Sequence, residues 1–230
     1  MASFTTTATV TESEISRDGR AGLPDFNTRL RRARLGLLVA LIPVLMLFVS
    51  FTSAYVVRQG LPTLDPRTNN LIRDWIPVAL PRLLLLNTLV LLASSVSMEL
   101  ARRQMHSRVA RESGCVASVS TGDQIRMPWL AATLVLGLAF LFGQWAAWQQ
   151  LAANGFYVAT TPSSSFVYLL TGTHAVHLLG GVLALFIAGV ASLLHRSLKT
   201  RSIVIDVAAW YWHFMAGLWV YIFCLMKFVR

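Results

Sequence analysis

The sequence predicts an all-α integral membrane protein, a bundle of five transmembrane helices. Of its 230 residues, 55% are hydrophobic and only 13% are charged, and the mean hydropathy is +0.59. A soluble domain carries about 25% charged residues, so this composition excludes a water-soluble enzyme and a disordered chain. The hydrophobic residues form long stretches separated by polar segments, and about 20 apolar residues are enough to cross a bilayer as a helix.

The first hydrophobic stretch follows a polar N-terminal segment. Residues 1–30 are rich in Ser and Thr and mix both charges, without the apolar core of a signal peptide. We expect them to form a mobile cytoplasmic tail, and residues 31–230 to form the five-helix domain. The first span, at about 35–57, contains no charged residue. Pro43 is expected to kink this helix rather than break it, because neighbouring helices can satisfy the carbonyl that proline leaves unpaired.

Four further spans follow in the second part of the chain. No Asp, Glu, Lys or Arg occurs between Arg126 and Arg196, and this region is long enough for two spans separated by Asn-Gly and Thr-Pro turn signals. The second span ends at Glu99, and the last begins close to Asp206. The four spans are expected at about 76–100, 127–151, 165–194 and 203–226.

The basic residues predict the orientation of the bundle. With five spans the two termini lie on opposite sides, and 14 of the 20 basic residues fall on the side of the N-terminus. By the positive-inside rule the N-terminus is cytoplasmic and the C-terminus extracytoplasmic. The net charge of +10 therefore indicates membrane orientation, and we expect no nucleic-acid partner. Four acidic residues in the tail argue against a transit peptide and favour a bacterial plasma membrane.

Several polar residues lie inside the predicted spans and are the candidate functional residues. They are His174, His177, His213, Gln144 and Asn87. Polar groups at this depth are costly unless they face protein, water or lipid headgroups, so we interpret them as packing or lipid-binding residues. The alternative is a b-type haem membrane anchor in which His174 or His177 is paired with His213, since histidine is a common axial ligand. The spacing favours packing, because no pair has the His-x-x-x-His spacing of a helical metal site.

The acidic residues and the cysteines provide no further candidate for a catalytic site. Every Asp and Glu falls in a tail, a loop or a span end, and Glu99 and Asp206 are both expected near the cytoplasmic surface. A proton relay of acids through the membrane is therefore not predicted. Cys115 and Cys224 are expected on opposite sides of the bilayer, which excludes a disulfide. The sequence predicts no catalytic, cofactor-binding or metal-binding residue.

Two segments carry a family resemblance. The run from Thr171 to Leu178, which contains both His174 and His177, resembles the penultimate helix of subunit III of haem-copper oxidases. The segment Tyr211-Trp212-His213-Phe214 resembles the last helix of that subunit. Weaker similarities touch the other three spans in order, at Leu35-Gly36 through Ala54-Tyr55, at Asn87-Thr88 with Ser94-Ser95, and at Gln144 with Trp148. The chain is similar to the short, five-helix form of the family.

The resemblance implies a function in aerobic respiration. It implies an accessory, cofactor-free subunit III that packs against oxidase subunits I and II and holds membrane lipids. The haem and copper that reduce oxygen to water would lie in those partner subunits, whose electron donor is cytochrome c or quinol. The chain departs from the family at three positions where buried carboxylates are typical, now Val44, Ala147 and Ala216, so no role of those acids carries over. A small transporter is disfavoured, because no buried charge is predicted that could couple to an ion.

Overall fold

A computed structural model of the protein describes residues 26–64, 70–72, 75, 82–114, 128–193 and 198–228. This part of the chain contains five α-helices and one short antiparallel pair of strands, in which Thr63 faces Ile72 and Leu64 faces Leu71. The elements are α1 (Phe26–Gly60), β1 (Thr63–Leu64), β2 (Leu71–Ile72), α2 (Arg82–Gly114), α3 (Pro128–Ala153), α4 (Pro162–Leu193) and α5 (Leu198–Phe228).

All five described helices are long and apolar enough to cross a membrane, which confirms the predicted fold class. Most of them extend beyond the predicted spans. The helix α1 begins at Phe26, within the predicted polar tail, and α2 continues from the second span to Gly114. A helix satisfies its own backbone hydrogen bonds, and long basic side chains can reach the bilayer surface from its ends, so charge alone does not end it. Residues 1–25 and 76–81 lie outside the described part.

The helix α5 lies at the centre of the described bundle. It packs against α1, α2 and α4, while α3 packs against α2 and α4. The helix α1 contacts only α4 and α5 among the described helices, and its buried residues are Leu41, Phe48 and Tyr55. This seven-residue spacing puts one narrow face of α1 on the bundle. Most of α1 is therefore left for lipid or for another protein.

Two tryptophans of α5 form the core between the helices. Trp212 and Trp219 are fully buried, and their indole N–H groups donate hydrogen bonds to the hydroxyls of Ser94 and Thr88 on α2. The Trp212 ring lies so close to Gly137 on α3 that a Cβ at this glycine would be 2.9 Å from it. Small residues permit this kind of close packing inside membranes, where interhelical hydrogen bonds add to the packing. These contacts set the register of α5 against α2 and α3.

Candidate functional site

In the described part of the chain, one polar cluster joins α1, α2 and α5. It lies at the end of the bundle that holds Arg34, Arg102 and Arg201, which we call the basic end. Asp206 has no exposed side-chain surface, and Arg34 of α1 holds it through two hydrogen bonds of 2.7 and 2.9 Å. Two groups of α2, the Nη1 of Arg102 and the Nε2 of His106, each lie 3.4 Å from the second carboxylate oxygen. The fork of donors on a guanidinium matches the two oxygens of a carboxylate. The cluster therefore fastens three helices through one acid.

A second acid extends this cluster along α5 toward the middle of that helix. Glu99 accepts hydrogen bonds from Arg102 at 2.8 and 3.1 Å and from Arg103 at 2.8 Å. Its carboxylate also lies 3.5 Å from the Nε2 of His213, whose Nδ1 is 2.6 Å from the hydroxyl of Ser95. His213 is near the midpoint of the transmembrane stretch Thr200–Phe228.

The burial of Asp206 corrects the expectation that the bundle holds no buried charge. The apolar runs predict Asp206 and Glu99 at span ends. In the structure Asp206 is nonetheless fully buried, because groups from two other helices meet on it, and Glu99 reaches His213 of α5. The sequence did contain one signal that these polar groups lie near each other. Asp206 and His213 are seven residues apart, so they share one face of α5. The pairing with Arg34, 172 residues away, has no local signal in the sequence.

His174 occupies the most apolar part of the core. Its imidazole has no exposed surface, and neither ring nitrogen has a hydrogen-bond partner among the described residues. The ring lies between aromatic side chains, 5.9 Å from Phe140 of α3 and 5.0 Å from Trp219 of α5, measured between centroids. His174 therefore packs as an aromatic ring at the meeting point of α3, α4 and α5.

Two buried amides lie on the helices around the same core. Gln144 and Asn87 are both buried, and the amide of Gln144 and the Nδ2 of Asn87 have no partner in the described part of the chain. Asn87 packs directly on the backbone of Gly143, so α2 and α3 approach closely at this level. Each unpaired amide in a low-dielectric interior carries a cost.

His177 lies one turn from His174 on the side of α4 that faces α1. Its Nδ1 is 2.8 Å from the carbonyl of Thr173, and its ring lies 6.0 Å from that of Phe48 on α1. Its backbone carbonyl accepts a 2.7 Å hydrogen bond from the hydroxyl of Tyr211 on α5. His177 therefore belongs to the contact of α4 with α1 and α5.

The contacts of His213 do not fit the haem-anchor hypothesis, in which His174 or His177 is paired with it. The Nδ1 of His213 is 2.6 Å from the hydroxyl of Ser95, and its Nε2 lies 3.5 Å from the carboxylate of Glu99, so both ring nitrogens face groups of α2. His174 is packed between Phe140 of α3 and Trp219 of α5. A bis-histidine haem needs two imidazoles that face each other across the porphyrin.

The positions of the missing family carboxylates are apolar and packed. Ala147 and Ala216 are buried in the core, and Val44 is partly buried against it. Small apolar residues at these sites leave no unpaired polar atom. The charged groups of the described bundle are therefore concentrated toward its basic end.

Two adjoining apolar cavities lie beside the contact of α4 with α5 at that basic end. Their volumes are 390 and 590 Å³, and they share Ala184, Leu185 and Val204 in their walls. We call the pair the crevice between α4 and α5, and each cavity a lobe of it. Arg201 lines the smaller lobe, its side chain is buried, and its Nε has no partner among the described residues. The predicted spans place Arg201 in the loop before the last span, as one of the orienting basic residues, and nothing in the sequence marks it as buried. The crevice combines apolar walls with one buried cation.

Comparison with known proteins identifies the family. A family model described as "Cytochrome c oxidase subunit III" matches residues 13–229. The chain is 28% identical to the "Probable cytochrome c oxidase subunit 3" of Mycobacterium leprae over 144 residues, which are 62% of this chain and 64% of that protein. It is 27% identical to the "Cytochrome c oxidase subunit 3" of Triticum aestivum over 198 residues, with 83% and 66% covered. It is 29% identical to the "Cytochrome c oxidase subunit 3" of Anopheles gambiae over 216 residues, which are 91% of this chain and 74% of that protein.

The match therefore extends along nearly the whole chain, although the chain spans just under two thirds of the length of the mycobacterial relative, 64%. The five membrane-crossing helices and the motifs of α4 and α5 agree with it. The chain is a multi-pass membrane protein and belongs to the cytochrome c oxidase subunit III family.

Proposed function

We propose that this chain is the accessory, cofactor-free subunit III of a haem-copper terminal oxidase in aerobic respiration. In this role it packs against subunits I and II, which carry the haem and copper and reduce oxygen to water. The observation that supports the proposal best is the family match over residues 13–229. The side-chain contacts agree with it, because each span histidine is engaged by packing or by a hydrogen bond within the bundle.

The proposed location is the plasma membrane of a bacterium, with the N-terminus in the cytoplasm. The support is the excess of basic residues on the N-terminal side, 14 of 20. In this orientation the cluster around Asp206 and Arg34 lies toward the cytoplasmic face, and His213 lies near the middle of the bilayer. The buried Arg201 also lies toward the cytoplasm, at the level of the lipid headgroups.

The crevice between α4 and α5 is the proposed lipid-holding site. Its apolar walls suit an acyl chain, and the guanidinium of Arg201 can donate to the phosphate of an anionic headgroup. His174, Gln144 and Asn87 are enclosed by helices, and their proposed role is packing. His177 and His213 are only partly buried, and their proposed role is to join neighbouring helices.

The cofactor-free role is tested by His213→Ala in the intact complex. We expect the haem content per complex to stay unchanged, because the ring nitrogens of His213 face Ser95 and Glu99 rather than a metal. Interhelical hydrogen bonds in membranes average about 0.6 kcal/mol and reach roughly 1.7 kcal/mol, so retention of the subunit should fall by a modest factor. Haem is quantified per complex by the pyridine haemochrome spectrum. Loss of one full haem equivalent would favour the haem-anchor alternative.

The lipid site is tested by Arg201→Ala, with Arg103→Ala as the matched control. Arg103 is also a basic residue near the same end, but its side chain is 75% exposed. Lipid that remains bound after purification is identified by native mass spectrometry. We expect Arg201→Ala to lose bound anionic phospholipid and Arg103→Ala to keep it. Equal retention in the two variants would contradict the proposed site.

A further inference from the structure

Three buried polar side chains carry groups that no described residue satisfies. They are His174 of α4, Gln144 of α3 and Asn87 of α2, which are 0%, 1% and 4% exposed. Both ring nitrogens of His174, both amide atoms of Gln144 and the Nδ2 of Asn87 have no hydrogen-bond partner in the described bundle. Polar groups buried without a partner are destabilising, so native proteins rarely leave them unpaired.

The contacts between α3 and α4 place Gln144 beside His174. Phe140, one turn before Gln144, packs against the ring of His174, with 5.9 Å between the centroids. Trp148, one turn after Gln144, donates a 3.1 Å hydrogen bond to the hydroxyl of Thr171. Thr171 lies one turn before His174 on α4. Since residues four apart share a helix face, the amide of Gln144 lies between two contacts with the part of α4 that carries His174.

The third side chain lies at the same level of the bundle. Asn87 packs on the backbone of Gly143 of α3. The next residue of α2, Thr88, accepts a 3.0 Å hydrogen bond from the indole N–H of Trp219 of α5. The ring of Trp219 lies 5.0 Å from that of His174, measured between centroids. The helices α2, α3, α4 and α5 therefore bring the unpaired groups together in one layer of the core, which we call the polar layer.

The chemistry of the polar layer defines the ligand that fits it. A side-chain amide has a donor and an acceptor end, and a neutral imidazole has one donor and one acceptor nitrogen. The ligand must therefore be uncharged and able to donate and accept. It must also be small, because the helices of the chain enclose these groups and leave almost no exposed surface. Water has these properties, and a buried water makes about three hydrogen bonds to groups that would otherwise be unpaired.

The other two span histidines need no such ligand. The Nδ1 of His177 is 2.8 Å from the carbonyl of Thr173, and the Nδ1 of His213 is 2.6 Å from the hydroxyl of Ser95. Of the span histidines in the described residues, His174 alone has both nitrogens buried and unpaired. The requirement for a ligand is therefore specific to the polar layer.

We propose that the polar layer is a binding site for buried water, which joins the imidazole of His174 to the amide of Gln144 and to the Nδ2 of Asn87. The water gives these side chains a role beyond packing, because it links α2, α3 and α4 by hydrogen bonds inside the bundle. It is independent of the proposed function, since every contact that supports it lies within this chain.

Radiolytic footprinting of the purified complex tests the site. A short X-ray pulse converts bound water to hydroxyl radicals in place, and these radicals oxidise the side chains beside the water even when bulk solvent cannot reach them. Phe140 reports on the polar layer, and Phe48 of α1 is the reference, because the two are 0% and 1% exposed. Mass spectrometry of peptides measures the oxidation of both residues.

We expect Phe140 to be oxidised more than Phe48 in the unmodified chain. In the double variant His174→Phe, Gln144→Leu this excess oxidation of Phe140 should be lost, because the main partners of the water have been removed. Equal oxidation of the two phenylalanines in the unmodified chain, or oxidation of Phe140 that persists in the double variant, would overturn the inference.

A double-mutant cycle keeps the test independent of the labelling yield. It compares the unfolding of His174→Phe, Gln144→Leu and the double variant in detergent micelles. Each single variant should lose stability, because the water and the remaining side chain are left with fewer partners. The double variant removes both polar groups, so its loss should be smaller than the sum of the single losses.

The matched control cycle combines Gln144→Leu with His177→Phe. His177 has a hydrogen-bond partner on its own helix, so the losses in this cycle should be additive. Additive losses in both cycles, or single variants at His174 and Gln144 that stabilise the chain, would show that no water joins the two groups. Circular dichroism of each purified variant confirms that the substituted chains are folded.

Discussion

Replacing Asp206 by alanine is expected to weaken the attachment of α1 to the rest of the bundle. The structure gives α1 few buried residues, and the bidentate pair of Arg34 with Asp206, at 2.7 and 2.9 Å, is its strongest polar contact. Asp206 has no exposed side-chain surface, whereas the side chain of Arg34 is 39% exposed. The pair therefore lies between the exposed and the fully buried limits.

The energy of the contact between Arg34 and Asp206 follows from these two limits. Exposed ion pairs contribute about 0–1 kcal/mol, and breaking a fully buried pair costs about 3–5 kcal/mol. The exposed part of Arg34 can turn to water or headgroups when its partner is lost, and Asp206 keeps Arg102 at 3.4 Å when Arg34 is lost. We therefore expect a coupling energy of about 1–2 kcal/mol between Arg34 and Asp206.

A double-mutant cycle measures this coupling. The cycle compares Arg34→Ala, Asp206→Ala and the double variant by unfolding in mixed detergent micelles, followed by circular dichroism. The control cycle uses Arg103 and Glu99, whose hydrogen bond is also 2.8 Å long but whose arginine is 75% exposed. That cycle should give less than about 0.5 kcal/mol. A coupling for Arg34 and Asp206 no larger than the control would refute the claim that this pair fastens α1.

Two further predictions concern packing and topology. Gly137→Ala should destabilise the chain by about 1–3 kcal/mol, because its Cβ would lie 2.9 Å from the buried ring of Trp212. The control Gly36→Ala should cost little stability, since no atom lies within 4 Å of its Cβ position. Thermal unfolding in detergent compares the two variants. A reporter fused after Arg230 should be extracytoplasmic and one inserted at Gly114 cytoplasmic, as the basic-residue bias predicts. Both reporters on one side would contradict the five-span topology.

The sequence was sufficient for the fold class, because hydrophobic length is a strong and local signal. Long hydrophobic stretches predicted five spans, and five described helices can cross a membrane. Helix ends were less accurate, since a helix such as α1 continues through basic residues to Phe26. The family motifs in α4 and α5 were also local, because runs such as Tyr211 to Phe214 can be recognised without a structure.

The polar cluster could not be derived in the same way. The contact of Arg34 with Asp206 depends on how α1 leans on α5, and nothing within either segment encodes that angle. For the same reason the contact of Glu99 with His213 across a helix interface has no signal in the sequence. The sequence predicts Arg201 only as an orienting charge, and its burial depends on how α5 packs against α4, which neither segment encodes.

The absorption spectrum of the purified chain, measured beside that of the complex from which it is separated, tests the central claim most directly. The family match and the separate engagement of His174, His177 and His213 predict a colourless chain without a Soret band. They also predict that this chain co-purifies with larger subunits that retain the full haem content. A Soret band at one haem per isolated chain would contradict the assignment as a cofactor-free subunit.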